Sequence, residues 1–305
     1  MEANRVALIG VSASLLELAG WPKPGNVHRT ADFPSTRFEH FLIGAASLYS
    51  PLRKAALGDM SYGQLLMEHV TLSYSLQRGG NTHLGTAMLL IPLAHAAGEW
   101  KGGDSEDLAK NATASLALTK PSDSVWFYRA IRMSMTEKAL GSVVDSDVPD
   151  VLDPEAERKL TERGLNLMDI MRASSSYDMV AREMVSGYRI SLEASRFYDS
   201  YEDPNVAAVN TFLKLLSDNG DTFIARNVGE GRDIRQKVVN GLQKTEWVRE
   251  EARKALLAGG IANEQGKLLV DSLDAKMRSL GLSPGSVADL LASTIFLSLI
   301  CGRKI

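Results

Sequence analysis

The sequence predicts an all-α protein in which one helical domain spans residues 1–305 and a polar cleft is built from helix N-termini and loops. Three observations carry that expectation. Apolar residues recur at three- and four-residue intervals along almost the whole chain. Glycines stand where those patterns stop: Gly20, Gly58, Gly79-Gly80, Gly98, Gly220, Gly259-Gly260 and Gly281. Alternating β-branched runs of strand length are nearly absent, and Val143-Val144 and Ile190-Ser191 are too short to support a sheet.

The first helix is expected over 3–19. Its apolar run Val6 to Leu16 follows Arg5 but is interrupted by Glu17, which marks a core helix rather than a secretory leader. Helices are then expected over 35–57 and 61–77. Asn81 is a good N-cap for the next, over 82–98, with Thr82 and His83 in its first turn. Its run Leu84 to Ala97 lacks formal charge but is too short to cross a bilayer and contains Pro92 and His95. Patterns over 104–118, 122–138 and 154–163 follow, with Gly141 to Pro154 reading as an acidic loop (Asp145, Asp147, Asp150, Asp153) that is a solvated connection or a lid. Ser176 caps a helix over 176–199, whose Val180, Met184 and Tyr188 form an inward stripe. The remaining helices are expected over 204–218, 230–258, 262–280 and 284–301, the last with Ser283 as N-cap and Pro284 at its first position.

Composition narrows the function. Hydrophobic content of 45% and charged content of 23% are those of an ordinary globular protein. A net charge of -3 gives no bulk attraction to nucleic acid or anionic lipid, so any anion must be held by local cations and helix ends. Cys301 stands alone, which excludes an internal disulfide or a thiolate metal site, suits a reducing, cytoplasmic setting, and reads as packing. The apolar helices could support a homodimer or simply fill one core.

Several short segments carry chemistry. Gly79-Gly80-Asn81-Thr82-His83-Leu84-Gly85 opens a helix whose unpaired N–H groups and dipole can hold an anion, with His83 beside it as a neutral imidazole. Trp21-Pro22-Lys23-Pro24-Gly25-Asn26-Val27-His28 is a rigid loop offering donors from Lys23, Asn26 and His28. Asp178 and Arg182, four apart, can form a surface ion pair. Asp221, after Asn219-Gly220, can cap a short helix carrying Arg226. In Ser283-Pro284-Gly285-Ser286-Val287-Ala288-Asp289, Asp289 and Ser286 lie beside the apolar stripe, half-buried or facing a cleft. Carboxylates at helix starts with scattered cations suit magnesium-bound phosphate. There is no Walker A loop and no zinc-protease signature, and Gly229-Glu230-Gly231 follows no strand.

These segments together resemble the triphosphoribosyl-dephospho-CoA synthase family. The match runs through Glu17, Pro22-Lys23-Pro24-Gly25, Asn81-Thr82-His83 with Gly85, Asp221-Thr222 with Arg226, and Ser283-Pro284-Gly285 with Ala288-Asp289-Leu290-Leu291, in the family's order. The resemblance implies an all-helical enzyme that moves the triphosphoribosyl part of ATP to the ribose 2′-hydroxyl of dephospho-CoA and releases adenine. It implies Mg2+ as cofactor. Asp178, Asp221, Asp289 and His83 are then the expected catalytic residues. Lys23, Asn26, His28, Asn81, Thr82, Arg182, Arg226, Ser283 and Gly285 are expected at the substrates. Asp178, Glu183, Asp221 and Asp289 are expected at the metal, with Glu39 a further carboxylate of interest.

The chain departs from the citrate-lyase-associated members, which usually carry Lys where it has Leu84 and Val-Asp-Arg where it has Asn26-Val27-His28. Its Thr36 to Phe41 and Tyr177 to Tyr188 segments are similar to a divergent archaeal and bacterial branch. Three alternatives follow: a related ribosyl transferase with another acceptor, such as a pterin-type cofactor precursor, a magnesium-dependent N-glycosidic hydrolase, and a non-catalytic nucleotide binder. His83→Ala is expected to reduce turnover more than stability. A lower melting temperature with an unchanged rate per folded molecule would mark His83 as a packing residue instead.

Overall fold

The computed structural model describes residues 1–305 except 60, 136–141, 144 and 145, so the expectations for Gly141, Asp145 and the end of the 122–138 helix lie outside the described residues. The described residues contain α-helices and no strand. They are α1 (Ala3–Ala19), α2 (Phe38–Ser47), α3 (Tyr49–Leu57), α4 (Tyr62–Leu76), α5 (Leu84–Glu99), α6 (Ser105–Leu116), α7 (Pro121–Ser134), α8 (Ala156–Glu162), α9 (Leu167–Ser174), α10 (Met179–Val185), α11 (Arg189–Asp199), α12 (Pro204–Asn219), α13 (Thr222–Val228), α14 (Ile234–Lys244), α15 (Glu246–Leu257), α16 (Glu264–Ser279) and α17 (Gly285–Ile300). A single 3-10 turn, Gly260–Ala262, sits between α15 and α16.

Three expected long helices are each broken in two, and each break has a local cause. The 35–57 pattern splits at Leu48, because Pro51 has no N–H to continue the ladder onto the Ser47 carbonyl. The 176–199 pattern splits at Gly187 and Tyr188, whose φ values of 78° and 56° are left-handed. There the Glu183 carboxylate accepts the Ile190 N–H at 3.2 Å and the Ser191 N–H at 2.6 Å and so caps α11. The 230–258 pattern begins only at Ile234, where Asp233 caps α14, and breaks again at Thr245. Helix α9 has no counterpart in the sequence expectation. Its reciprocal cap, Asn166 with Asp169, and its buried Leu167, Met168, Ile170 and Met171 account for it.

Helices α5 and α17 form the centre. Both are apolar around most of their circumference and buried along most of their length. Helix α17 packs on α1, α5, α11 and α12, and α5 packs on α3, α4 and α6. Gly98 lets α5 approach α3 closely, since a Cβ there would stand 2.0 Å from the Ala56 carbonyl oxygen. One continuous apolar cluster runs from Val6 to Ile300. No helix among the described residues is long and apolar enough to cross a membrane. Cys301 is exposed beyond the end of α17, so it does not serve the packing role expected of it.

The loop after α1 is buried rather than a surface turn. Lys23 is fully buried and donates to both the Glu17 carboxylate and the Glu17 carbonyl. The Gly25 N–H donates to Asp274 of α16 at 2.8 Å, and the Arg278 guanidinium meets the Asn26 carbonyl and His28 Nε2. Burial raises the Glu17 pKa and lowers that of Lys23, each opposed by the charge of the other. Truncating one member of such a pair strands the other. Lys23→Met is therefore expected to lower stability by about 3–5 kcal/mol, and the double variant Glu17→Leu/Lys23→Met to recover most of it. Urea denaturation of the three proteins checks this, and a double variant no better than the single one would refute it.

Candidate active site

Four helix N-termini converge on one cavity. Helix α5 contributes Asn81, Leu84 and Gly85 from its start, α10 contributes Asp178, α13 contributes Phe223 and Arg226, and α17 contributes Ser286 and Asp289. The opposite wall comes from α7 (Phe127, Tyr128, Ile131), α9 (Ile170, Met171) and the loop Val148 to Val151. The cavity therefore has one polar wall and one largely apolar, aromatic wall, interrupted by Asp150 of that loop.

The polar wall is held by carboxylates on helix ends. Asp221 Oδ1 accepts the Ile224 N–H at 2.8 Å, capping its own helix α13, and Oδ2 accepts the Val287 N–H at 2.8 Å, capping α17. One carboxylate thus caps two helices. Ser283 was the expected N-cap of α17, but the helix starts at Gly285 with Pro284 before it, and the cap comes from the distant Asp221. Next to it, Thr222 Oγ1 accepts the Met179 N–H at 3.1 Å and lies 3.3 Å from Ser286 Oγ, tying α10 and α17 together. Asp178, rather than Ser176, is the N-cap of α10, with Oδ1 accepting from Val180 and Ala181. Its other oxygen pairs with Arg226, not with the expected Arg182, which is exposed and donates to the carbonyls of Ser175 and Ser176.

At α5 the helix start meets a carboxyl group of the chain itself. The helix begins at Leu84, two residues later than expected, and Asn81 Oδ1 accepts the Leu84 N–H at 3.0 Å. Thr86 Oγ1 donates to Asp289 Oδ1 at 2.7 Å. The other Asp289 oxygen lies against Gly85, where a Cβ would stand 2.1 Å from it. Only glycine fits there.

Electrostatics separate the carboxylates. Burial pushes Asp289 up to about 8, with the nearby charges of Glu17 and Asp221 adding to it and the Thr86 hydrogen bond opposing. Asp289 is half-buried, with its open side on the cavity. Burial also raises Asp221, to about 6, against its backbone hydrogen bonds. His83 is 2% exposed, and burial first, then the charges of His69 and Lys23, lowers it to about 3. It is neutral as expected, but burial rather than the helix dipole is the main cause. Neither of its ring nitrogens, nor Thr82 Oγ1, has a hydrogen-bond partner among the described residues.

Of the residues expected at the site, Asn81, Asp178, Arg226 and Asp289 line the cavity. Lys23, Asn26, His28, Thr82, His83, Arg182, Glu183, Asp221, Ser283 and Gly285 do not. Lys23, His28 and Glu183 are buried in the networks already described, Asn26 Nδ2 reaches the Pro284 carbonyl at 3.4 Å behind the start of α17, and Glu39 is exposed beside Arg37. No three His, Cys, Asp or Glu side chains among the described residues converge as a metal cage. Glu183 and Asp221, expected at a metal, do not line the cavity, and their oxygens accept backbone N–H groups as helix caps. The apolar wall was missed entirely. Its only sequence signal is the i,i+4 pair Phe127 and Ile131, which any packed helix also shows. The loop expected as a solvated connection or lid supplies part of that wall through Val148, Pro149 and Val151, and Tyr128 donates to the Pro149 carbonyl at 2.7 Å.

The sequence pattern of a family described as ATP:dephospho-CoA triphosphoribosyl transferase matches residues 3–304. A Citrobacter koseri protein carrying the name "Probable 2-(5''-triphosphoribosyl)-3'-dephosphocoenzyme-A synthase" is 33% identical over 128 residues, which is 42% of this chain and 36% of that protein. A Salmonella gallinarum protein of the same name is 36% identical over 104 residues, 34% of this chain and 30% of that one. The matched segments thus span about a third of the length of these curated relatives. A crystal structure from Archaeoglobus fulgidus that carries the name "putative triphosphoribosyl-dephospho-coA synthase" superposes with a TM-score of 0.66 at 26% identity, covering 86% of this chain and 100% of that one.

The raised Asp289 carboxyl yields a pH test. Its folded pKa lies above the unfolded value, so its favourable contribution is full below about pH 4 and is lost as pH rises through about 8. Asp289→Asn is therefore expected to be more stable than the wild type by about 1–3 kcal/mol near pH 9, with the difference vanishing near pH 4. Denaturation at the two pH values measures it, and an equal difference at both would refute the assignment.

Proposed function

The chain belongs to the ATP:dephospho-CoA triphosphoribosyl transferase family, and from that premise we propose that it transfers the triphosphoribosyl group of ATP to the ribose 2′-hydroxyl of 3′-dephospho-CoA and releases adenine. The observation that carries this reading is the two-walled cavity, where Asp178, Asp289 and Arg226 face an aromatic and aliphatic surface. The apolar wall suits a heteroaromatic base. The polar wall suits the ribose and the charge that develops on it.

In this reading the acceptor oxygen attacks the anomeric carbon, the glycosidic C–N bond breaks, and adenine leaves with the bonding pair and takes up a proton. The acceptor proton passes to the ionised form of Asp289, which its raised pKa of about 8 makes a stronger base than an ordinary carboxylate. Positive charge on the sugar in the transition state is stabilised by the carboxylates of the polar wall. Arg226, the one cation among the described residues lining the cavity, orients Asp178. His83 and Thr82 lie off the cavity, packed against Phe41 and Gly44 of α2.

Magnesium fits the oxygen-rich wall, since it commonly uses one or two carboxylates together with substrate phosphates and water. Asp178 is the residue that would hold it, and the ion would supply charge neutralisation for the triphosphate. ATP as donor and a cytoplasmic location belong to the same proposal.

Liquid chromatography with mass spectrometry of the protein incubated with ATP and magnesium, with and without dephospho-CoA, tests it. Adenine and a triphosphoribosyl adduct are expected only when dephospho-CoA is present. Adenine without an adduct would mark a hydrolase, and no change would overturn this choice of substrates. Asp289→Asn is expected to lower kcat by about 100-fold or more.

A further inference from the structure

We propose that Thr86 is a positioning residue: its hydroxyl pins one oxygen of Asp289 and thereby presents the other to the cavity. This rests on the reading of Asp289 as the base. The geometry behind it is specific. Thr86 Oγ1 donates to Oδ1 at 2.7 Å. Thr86 is 3% exposed, so its hydroxyl has little access to solvent as an alternative partner. Oδ2 lies against Gly85, one residue earlier on the same helical turn, where no Cβ intrudes. Two consecutive residues of α5 therefore grip the carboxylate from one side, one by donating a hydrogen bond and one by leaving space. Asp289 itself sits on α17, so the grip also sets the spacing of the two central helices where they meet the cavity.

The alternatives for holding Asp289 are few. The charged groups around it are Glu17 with its partner Lys23, Asp221 at the start of α13, and Asp178, Arg226 and Asp150 on the cavity. Lys23 is spent on Glu17 and Arg226 on Asp178. No cation is left to orient Asp289, and the Thr86 hydroxyl is its one side-chain donor among the described residues. Without the hydroxyl the Thr86 backbone N–H is the carboxyl's remaining hydrogen-bond partner on α5, and the carboxyl can turn about its Cβ–Cγ bond, whose torsional preferences are broad.

Thr86→Val is nearly isosteric and removes only the hydroxyl. Thr86→Ser keeps the hydroxyl and removes a methyl. Kinetics with ATP and dephospho-CoA are expected to show kcat lowered about 10–100-fold in Thr86→Val with KM within about 2-fold, and kcat restored to within about 3-fold in Thr86→Ser. Crystal structures of the three proteins are expected to show the Asp289 carboxyl in one orientation in the wild type and in Thr86→Ser, and turned or split in Thr86→Val. An unchanged carboxyl in Thr86→Val together with unchanged kcat overturns the proposal, as does a serine variant as impaired as the valine one. If the wild type forms no product from these substrates, the functional reading fails, and the carboxyl orientations alone then decide whether Thr86 positions Asp289.

Discussion

The double cap made by Asp221 is the interaction on which the site depends. A short, charged side chain at the end of α12's connection reaches the first turns of both α13 and α17. Each cap is worth about 1 kcal/mol, yet the geometric consequence is larger than the energy. Because one carboxylate must satisfy N–H groups on two helices, their starts cannot drift apart. Arg226 and Phe223 on one helix, and Ser286 and Asp289 on the other, are thereby fixed on the same wall. Thr222 extends the joint to the start of α10 and so to Asp178. Burying Asp221 costs solvation, which its raised pKa records, and the backbone hydrogen bonds offset part of that cost.

The same logic explains why the residues of the loop after α1 matter without touching the cavity. Lys23, Asn26 and His28 form a buttress between α1, α16 and the start of α17. The Pro-Gly framework makes this loop rigid, and the side chains that looked available for a ligand are consumed in holding it. The charge facing the cavity is left to Asp150, Asp178, Asp289 and Arg226. A buried lysine whose proton affinity is reduced by burial, as for Lys23, is poorly placed to attract a triphosphate from solution.

Much of the fold was legible because helix periodicity and its stops are local properties. The expected helix starts and ends fall close to those of α1, α4, α6, α12 and α16. Breaks inside long patterns were not legible, since Pro51, Gly187 and Thr245 interrupt the hydrogen-bond ladder without interrupting the apolar stripe. In the site, Asp221 was read as a cap from its position after Asn219-Gly220, but its second helix was not, because Val287 lies 66 residues away. The pairing of Asp178 with Arg226, 48 residues apart, displaced an expected pairing with Arg182 only four residues away. A neighbour at helical spacing is a candidate, and burial of Arg226 at the cavity wall decides against the exposed Arg182.

By itself the sequence determined the all-α class, the capped helix start at Asp221, the lone Cys301 and the family, through short motifs that keep their order along the chain. These are properties of a few adjacent residues and their backbone geometry. Only the tertiary structure decided which carboxylates face the cavity and which are spent as caps. It alone brought Thr86 to Asp289 across 203 positions and supplied the apolar wall from α7, α9 and Val148 to Val151. The physical reason is that a side chain's role is set by whatever else competes for its hydrogen bonds and its solvent, and those competitors come from distant parts of the chain.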